Sequence, residues 1–184
     1  SVISSLEEQG AKIDGYGVGT KMATCYEQPA LGGVYKLVQL DAQARIKVSE
    51  QTEKTTLPGE KKAFRIYGKD QKMILDLLTT SSEDAPVVGK EIEVFHPIDR
   101  FKSAKLTPYR VEELLQPLFS NQKFVETKSL ENIRQKSLEN MSKIREDISR
   151  ENHPTPYKVS ISAELKDQFE KLYRQEAPPK KINE

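Results

Sequence analysis

Cysteine is nearly absent: Cys25 is the single one in 184 residues. No disulfide can form within the chain, and no C-x-x-C pair stands ready for zinc or redox chemistry. An inert thiol in a reducing compartment is the plain reading, since neither histidine lies near Cys25 in sequence. An excess of either charge is missing too. Lys and Arg total 29 against 28 Asp and Glu, so no broad field draws nucleic acid or an anionic membrane surface. No apolar run reaches the ~20 residues of a membrane-spanning helix, and no signal-like segment opens the chain, which predicts a soluble cytoplasmic (cytosolic) protein. The first residue is Ser1 rather than Met, within a helix-like pattern, and this predicts a piece of a longer protein. The length allows one domain or two small ones with a real core, but not a whole (β/α)₈ barrel of about 250 residues.

What is present begins with residues 14–20, Asp-Gly-Tyr-Gly-Val-Gly-Thr. Glycine lets backbone turn sharply or approach a ligand without a Cβ in the way. A hydroxyl directly after such a loop, here Thr20, can cap a helix, and a helix start gathers N–H groups that favour a phosphate. The spacing completes neither G-x-x-x-x-G-K-[ST] nor the G-x-x-G end of the dinucleotide fingerprint. Phosphate binding and an ordinary tight connection therefore stay open side by side. Asp14 reads as a turn carboxylate bonding its own backbone, with a ligand or metal contact as the alternative.

Along the chain, Val2, Ile3 and Leu6 predict a short helix over residues 2–9 that Gly10 caps, followed by a brief buried strand over 11–13. Helix, strand and glycine loop then follow in the order of an α/β unit. A helical turn begins near Thr20, and Pro29 with Gly32 and Gly33 ends regular structure. Residues 33–40, 45–49, 63–67, 72–78 and 91–96 read as short strands of an antiparallel sheet, with a change of layer near Leu31. Glu50, Glu53, Lys54, Glu60, Lys61 and Lys62 around Pro58-Gly59 predict a solvated hairpin. Residues 81–86 read as a flexible connection. Thr107-Pro108 reads as a helix start with Val111, Leu114, Leu115 and Leu118 along its apolar face and Pro117 as its kink or end. A longer helix is expected over 129–149, packing Leu130, Ile133, Leu138, Met141, Ile144 and Ile148 on the sheet. Tyr157, Val159 and Ile161 alternate as a strand, Ser162 caps a last helix with Leu165, Phe169 and Leu172 inward, and the tail beyond is expected to be disordered. His96 and His153 stand at a strand end and in a loop, where a structural or exposed role is expected.

Residues 10–40, GAKIDGYGVGTKMATCYEQPALGGVYKLVQL, resemble the C-terminal part of nicotinate phosphoribosyltransferase. The resemblance continues through KVSEQTEKTTLPGEKKAFR, LLQPLFSNQKFV and HPTPYKVSISAELKDQFEKL, so it spans nearly the whole chain. It implies the enzyme of NAD salvage that joins nicotinate to phosphoribosyl pyrophosphate, coupled to ATP hydrolysis through a transiently phosphorylated histidine, with magnesium (Mg). It also implies a homodimer, with neither nucleic acid nor membrane as a partner. The fold expected from it is α/β, α+β within this stretch. Residues 1–30 would be the last helix–strand unit of the phosphoribosyltransferase α/β barrel, 31–106 the antiparallel strands of a sheet domain, 107–176 C-terminal helices with one strand, and 177–184 a tail. On this mapping Gly17, Val18, Gly19 and Thr20 hold a phosphate of phosphoribosyl pyrophosphate through N–H groups and a hydroxyl. No catalytic or metal-binding residue is carried over, because the family's phosphorylated histidine and nicotinate contacts match nothing here, and the chain alone is expected to be inactive. A different class of reading is a non-catalytic interaction module that pairs with the full-length enzyme.

Overall fold

Phe64 and Ile66 stand two residues apart in Lys-Lys-Ala-Phe-Arg-Ile-Tyr, as do Leu75 and Leu77 in the next apolar stretch, and that period turns them to one face of a pleated strand. The computed structural model describes residues 2–30, 33–49, 51, 54–125 and 128–177. The boundary expected at Leu31, Gly32, the charges Glu50 and Glu53, and the tail beyond residue 177 lie outside them. The chain divides into two compact units, Ser1–Lys36 and Leu37–Glu184.

In the first unit, α1 (Val2–Glu8) ends on Gly10 at φ +75°. The Ala11 N–H reaches Leu6 O at 3.0 Å and the Gly10 N–H reaches Glu7 O at 2.9 Å, the paired bonds of a Schellman cap. The strand expected over 11–13 is not formed. Those residues are exposed and have no strand beside them among the described residues, and a strand without a partner leaves its ladder unmade. A single turn, α2 (Thr20–Ala23), follows the glycine loop.

The second unit holds a small hairpin of β1 (Gln39–Leu40) and β2 (Gln43–Ala44), and β3 (Lys61–Tyr67), β4 (Met73–Thr80), β5 (Ile92–Phe95), β6 (Ser103–Leu106) and β7 (Arg110–Glu113). A second small hairpin, β8 (Phe119–Ser120) with β9 (Lys123–Phe124), precedes α3 (Leu130–Ser142), α4 (Glu146–Ser149), β10 (Lys158–Ile161) and α5 (Ala163–Glu176). The main sheet runs β6-β5-β10-β4-β3-β7. It is mainly antiparallel, but β10 enters parallel to β4, pairing Lys158 with Leu75 and Ile161 with Leu78. Phe64, Ile66, Leu75, Leu77 and Val94 form its buried cluster. At Gly68, in the β3–β4 turn, a Cβ would lie 2.9 Å from Asp70 Oδ1, so a larger residue would push that carboxylate aside. α5 packs its Leu165 and Phe169, 0% and 3% exposed, over β4 and β5.

Several expectations give way to tertiary pairing. The strand expected over 33–40 shrinks to β1, and the one expected over 45–49 is not formed; its place is taken by β2 just before it. The helix expected from Thr107 is strand β7, because Val111 lies opposite Ile66 and the Tyr109 and Leu114 N–H groups bond Tyr67 O and Ala63 O. A sheet edge supplied partners that local periodicity could not announce. Residues 129–149 divide into α3 and α4, and the apolar stripe of α3 faces outward with Leu130 82% exposed. Thr56, Pro58 and Gly59 are buried, so the Pro-Gly turn is no solvated hairpin. Lys61 Nζ donates to the carbonyls of Leu57, Pro58 and Gly59, and burial pushes its pKa down. Residues 81–86 carry a hydrogen-bonded turn in which the Glu83 carboxylate accepts from the Thr80 N–H at 2.7 Å.

Candidate functional site

Gly15, Gly17 and Gly19 all lie on an exposed loop. None has a positive φ, and a Cβ built on any of them meets nothing within 4 Å. Neither turn geometry nor packing inside this unit therefore requires glycine at these positions. Gly19, not Thr20, is the cap residue of α2, with φ −101° and ψ −141°. Its carbonyl receives the Met22 and Ala23 N–H groups at 3.1 and 3.3 Å. Thr20 is then the first residue of the turn, and its carbonyl receives the Thr24 N–H and hydroxyl at 2.9 and 2.7 Å. Among the described residues no hydrogen-bond partner meets the Thr20 hydroxyl or the N–H groups of Gly17, Val18 and Gly19. Four donors on this exposed loop thus have no partner among the described residues.

The neighbouring candidates make less of a site. Asp14 is exposed and bonds no described backbone group, so the turn-carboxylate reading is not realised. Cys25 is exposed at φ +48°. Among the described residues no three His, Cys, Asp or Glu side chains gather as metal ligands, and these residues do not fit a magnesium site on their own.

In the second unit the polar side chains hold the fold together. His96 Nδ1 accepts the N–H groups of Ile98 at 3.2 Å and Asp99 at 3.0 Å, which occupies that nitrogen in a turn. His153 is exposed at φ +50°, with its carbonyl receiving Arg150 Nε. Arg65 grips Asp76 through two bonds of 2.8 and 2.9 Å, and the Tyr157 hydroxyl donates to the same carboxylate at 2.8 Å. That hydrogen bond raises the Arg65 pKa, while burial raises that of Tyr157. Sequence spacing did not point to this trio, because its members come from β3, β4 and the approach to β10. Two hollows adjoin the sheet. One of about 600 Å³ opens where β10 and β5 pair only at Ile161 and Phe95; the other, about 450 Å³, lies between β7 and α3. No helix among the described residues is long and apolar enough to cross a membrane.

Comparison with known proteins places this architecture. A nicotinate phosphoribosyltransferase of Arabidopsis thaliana is 38% identical over 179 residues, covering 96% of this chain and 32% of that protein. The Dictyostelium discoideum nicotinate phosphoribosyltransferase is 38% identical over 188 residues, with 98% and 32% covered. The crystal structure of human nicotinic acid phosphoribosyltransferase superposes with a TM-score of 0.67 at 30% identity, over 78% of this chain and 27% of that one. The chain thus spans about a third of the length of the curated relatives it matches. Residues 60–169, which hold the six-stranded sheet and the first half of α5, match the family model described as nicotinate phosphoribosyltransferase C-terminal domain, and the chain belongs to that family of enzymes.

Proposed function

We propose that this chain contributes a phosphate-holding loop and a scaffold to a nicotinate phosphoribosyltransferase that condenses nicotinate with phosphoribosyl pyrophosphate to nicotinate mononucleotide and pyrophosphate. ATP hydrolysis drives the reaction, magnesium assists it, and the working form is a cytosolic homodimer. Gly17, Val18, Gly19 and Thr20 hold a phosphate of the substrate. The observation that carries this reading is the loop's glycines, which the chain's own geometry does not require and which leave backbone donors bare at the start of a helical turn. Close approach of a ligand is what glycine then permits.

The loop's part in the chemistry is positioning. N–H groups fixed around a phosphate hold the reacting ribose in line and spread the charge that grows on the departing pyrophosphate. Magnesium, when bound, would neutralise part of that charge, but the described residues offer no donor set for it.

Gly17→Ala is the clean test in a complete enzyme carrying this chain, because no neighbour lies within 4 Å of the new Cβ. Together with Thr20→Val it is expected to raise the KM for phosphoribosyl pyrophosphate by about tenfold, the scale of a lost charge-assisted hydrogen bond. An unchanged KM in both variants contradicts the assignment. The chain by itself is expected to form no nicotinate mononucleotide; detectable product would refute that part.

A second reading, a non-catalytic module pairing with a full-length enzyme, draws on the compact second unit with its own core. Such a module should cover Val2, Ile3 and Ile13, and these are 77%, 37% and 43% exposed. The exposure favours the catalytic contributor.

A further inference from the structure

The helix α3 is turned the wrong way for hydrophobic docking. Asn132, Lys136, Glu139, Asn140 and Lys143 recur at three- and four-residue intervals and line the hollow against β7. Leu130 and Met141 lie on the opposite face and are 82% and 64% exposed, and Ile133, at the margin beside Asn140, is 54% exposed. A helix held by burial of its apolar stripe would show the reverse.

Charge inside the hollow is also unmatched. Its cations are Arg110, Lys128, Lys136 and Lys143, and its acids are Glu112 and Glu139. Glu112 is already engaged: it accepts the Tyr67 hydroxyl at 2.6 Å and Arg110 at 3.1 Å. The Tyr67 hydrogen bond first, then the fields of Arg110, Lys136 and Lys143, hold its carboxyl below the usual carboxylate range. Glu139 accepts Gln135 Nε2 at 3.1 Å. Neither Lys136 nor Lys143 has a carboxylate within ion-pair distance among the described residues. What results is a wet hollow of about 450 Å³ with cations in surplus and amide donors between them. That volume falls in the range of about 300–1,000 Å³ found for small-molecule sites.

We propose that the hollow between β7 and α3 binds a phosphate-bearing small molecule, with Arg110, Lys136 and Lys143 facing its charge and Asn132 and Asn140 donating to its oxygens. The Arg110 guanidinium offers a planar fork to a phosphate, and the two lysines offer compact charges. Lys136 and Lys143 stand two helical turns apart, about 10.5 Å along the axis, which suits a chain of phosphates better than a single one.

The test is a titration of the isotope-labelled 184-residue chain at low salt, followed by backbone amide shifts. Inorganic tripolyphosphate is one probe and ribose 5-phosphate another, so an inorganic polyanion is told apart from a phosphate ester. Saturable shifts over β7 and α3 with either probe are the expected result. Lys136→Gln with Lys143→Gln should weaken binding by about tenfold, Glu139→Gln should tighten it severalfold, and Lys105→Gln on β6 should change nothing, given the short reach of screened charge. Absent saturation, an equal loss in Lys105→Gln, or equal competition by an acidic peptide overturns the proposal. Shifts confined to residues 15–20 also overturn it, while supporting the phosphate-holding loop, so the two proposals fail separately.

Discussion

Tyr67 is fully buried, with the Arg110 guanidinium 4.4 Å from its ring centre and its hydroxyl on Glu112. Burial first, and the Glu112 bond second, push its pKa up to about 12. Between the ordinary value near 10 and about 12 the folded chain holds a proton that the unfolded chain has lost. Stability should therefore fall as pH rises through that window. Urea unfolding at pH 9.5 and 11.5 should show the fall, and Tyr67→Phe should lessen it, leaving the share of Tyr157, whose pKa is raised as well; an undiminished slope in that variant would remove Tyr67 as a cause. On the acid side Glu112 works in the other direction. Its lowered pKa contributes stability that is present above the unfolded value and lost as pH drops through the folded one. Asp76 serves both Arg65 and Tyr157, and its side chain is 18% exposed. Asp76→Ala should cost about 2 kcal/mol in chemical denaturation, below the full figure for a buried pair because water still reaches Arg65.

Among the elements, α5 shows how far local pattern reaches. Ser162 accepts the Leu165 N–H at 3.2 Å and donates to Glu83 Oε2 at 2.7 Å, so a single hydroxyl caps the helix and ties it to the turn after β4. Ser162→Ala should cost about 1 to 2 kcal/mol, and Leu165→Ala about 3 kcal/mol, both read as midpoint shifts in urea. Leu165→Ala proving the milder of the two would mean that α5 is held by its cap rather than by its packing. The whole of this helix was legible in sequence because cap, period and burial agree. β3, β4, β5 and β10 were legible for the same reason, with apolar residues two apart. β7 was not: Val111, Leu114 and Leu115 carry a helical spacing, and only the edge of β3 turns residues 110–113 into a strand instead. α3 was half legible, as a helix beginning near Ser129, but the direction of its apolar face depends on neighbours that periodicity does not name.

For the molecule as a whole, order is unevenly spread. Among the described residues the buried hydrophobic core runs from Phe64 to Phe169, while residues 2–30 contain no buried residue. Hydrogen exchange should accordingly be slowest in β3, β4, β10 and α5 and fast throughout α1 and the glycine loop. A protected α1 would contradict this picture. The same division explains what sequence could say about function. The candidate loop was visible because three glycines and Thr20 crowd into a few residues. The hollow beside α3 was invisible, because Arg110 and Glu112 join Lys136 and Lys143 only through the fold.

The seat of β10 in the sheet has a consequence for how the protein is made. β10 lies between β4 and β5, yet it begins at Lys158, near the end of the chain. As the polypeptide leaves the ribosome, β3 and β4 can close as one hairpin, with β7 joining later, and β5 and β6 as another. Neither can reach the other until the last strand is released, and long-range parallel pairing is slow to form. A nonsense mutation between Glu113 and Lys158 would therefore leave two half-sheets with raw edges rather than a shortened protein, and quality-control machinery would meet it as an aggregating chain.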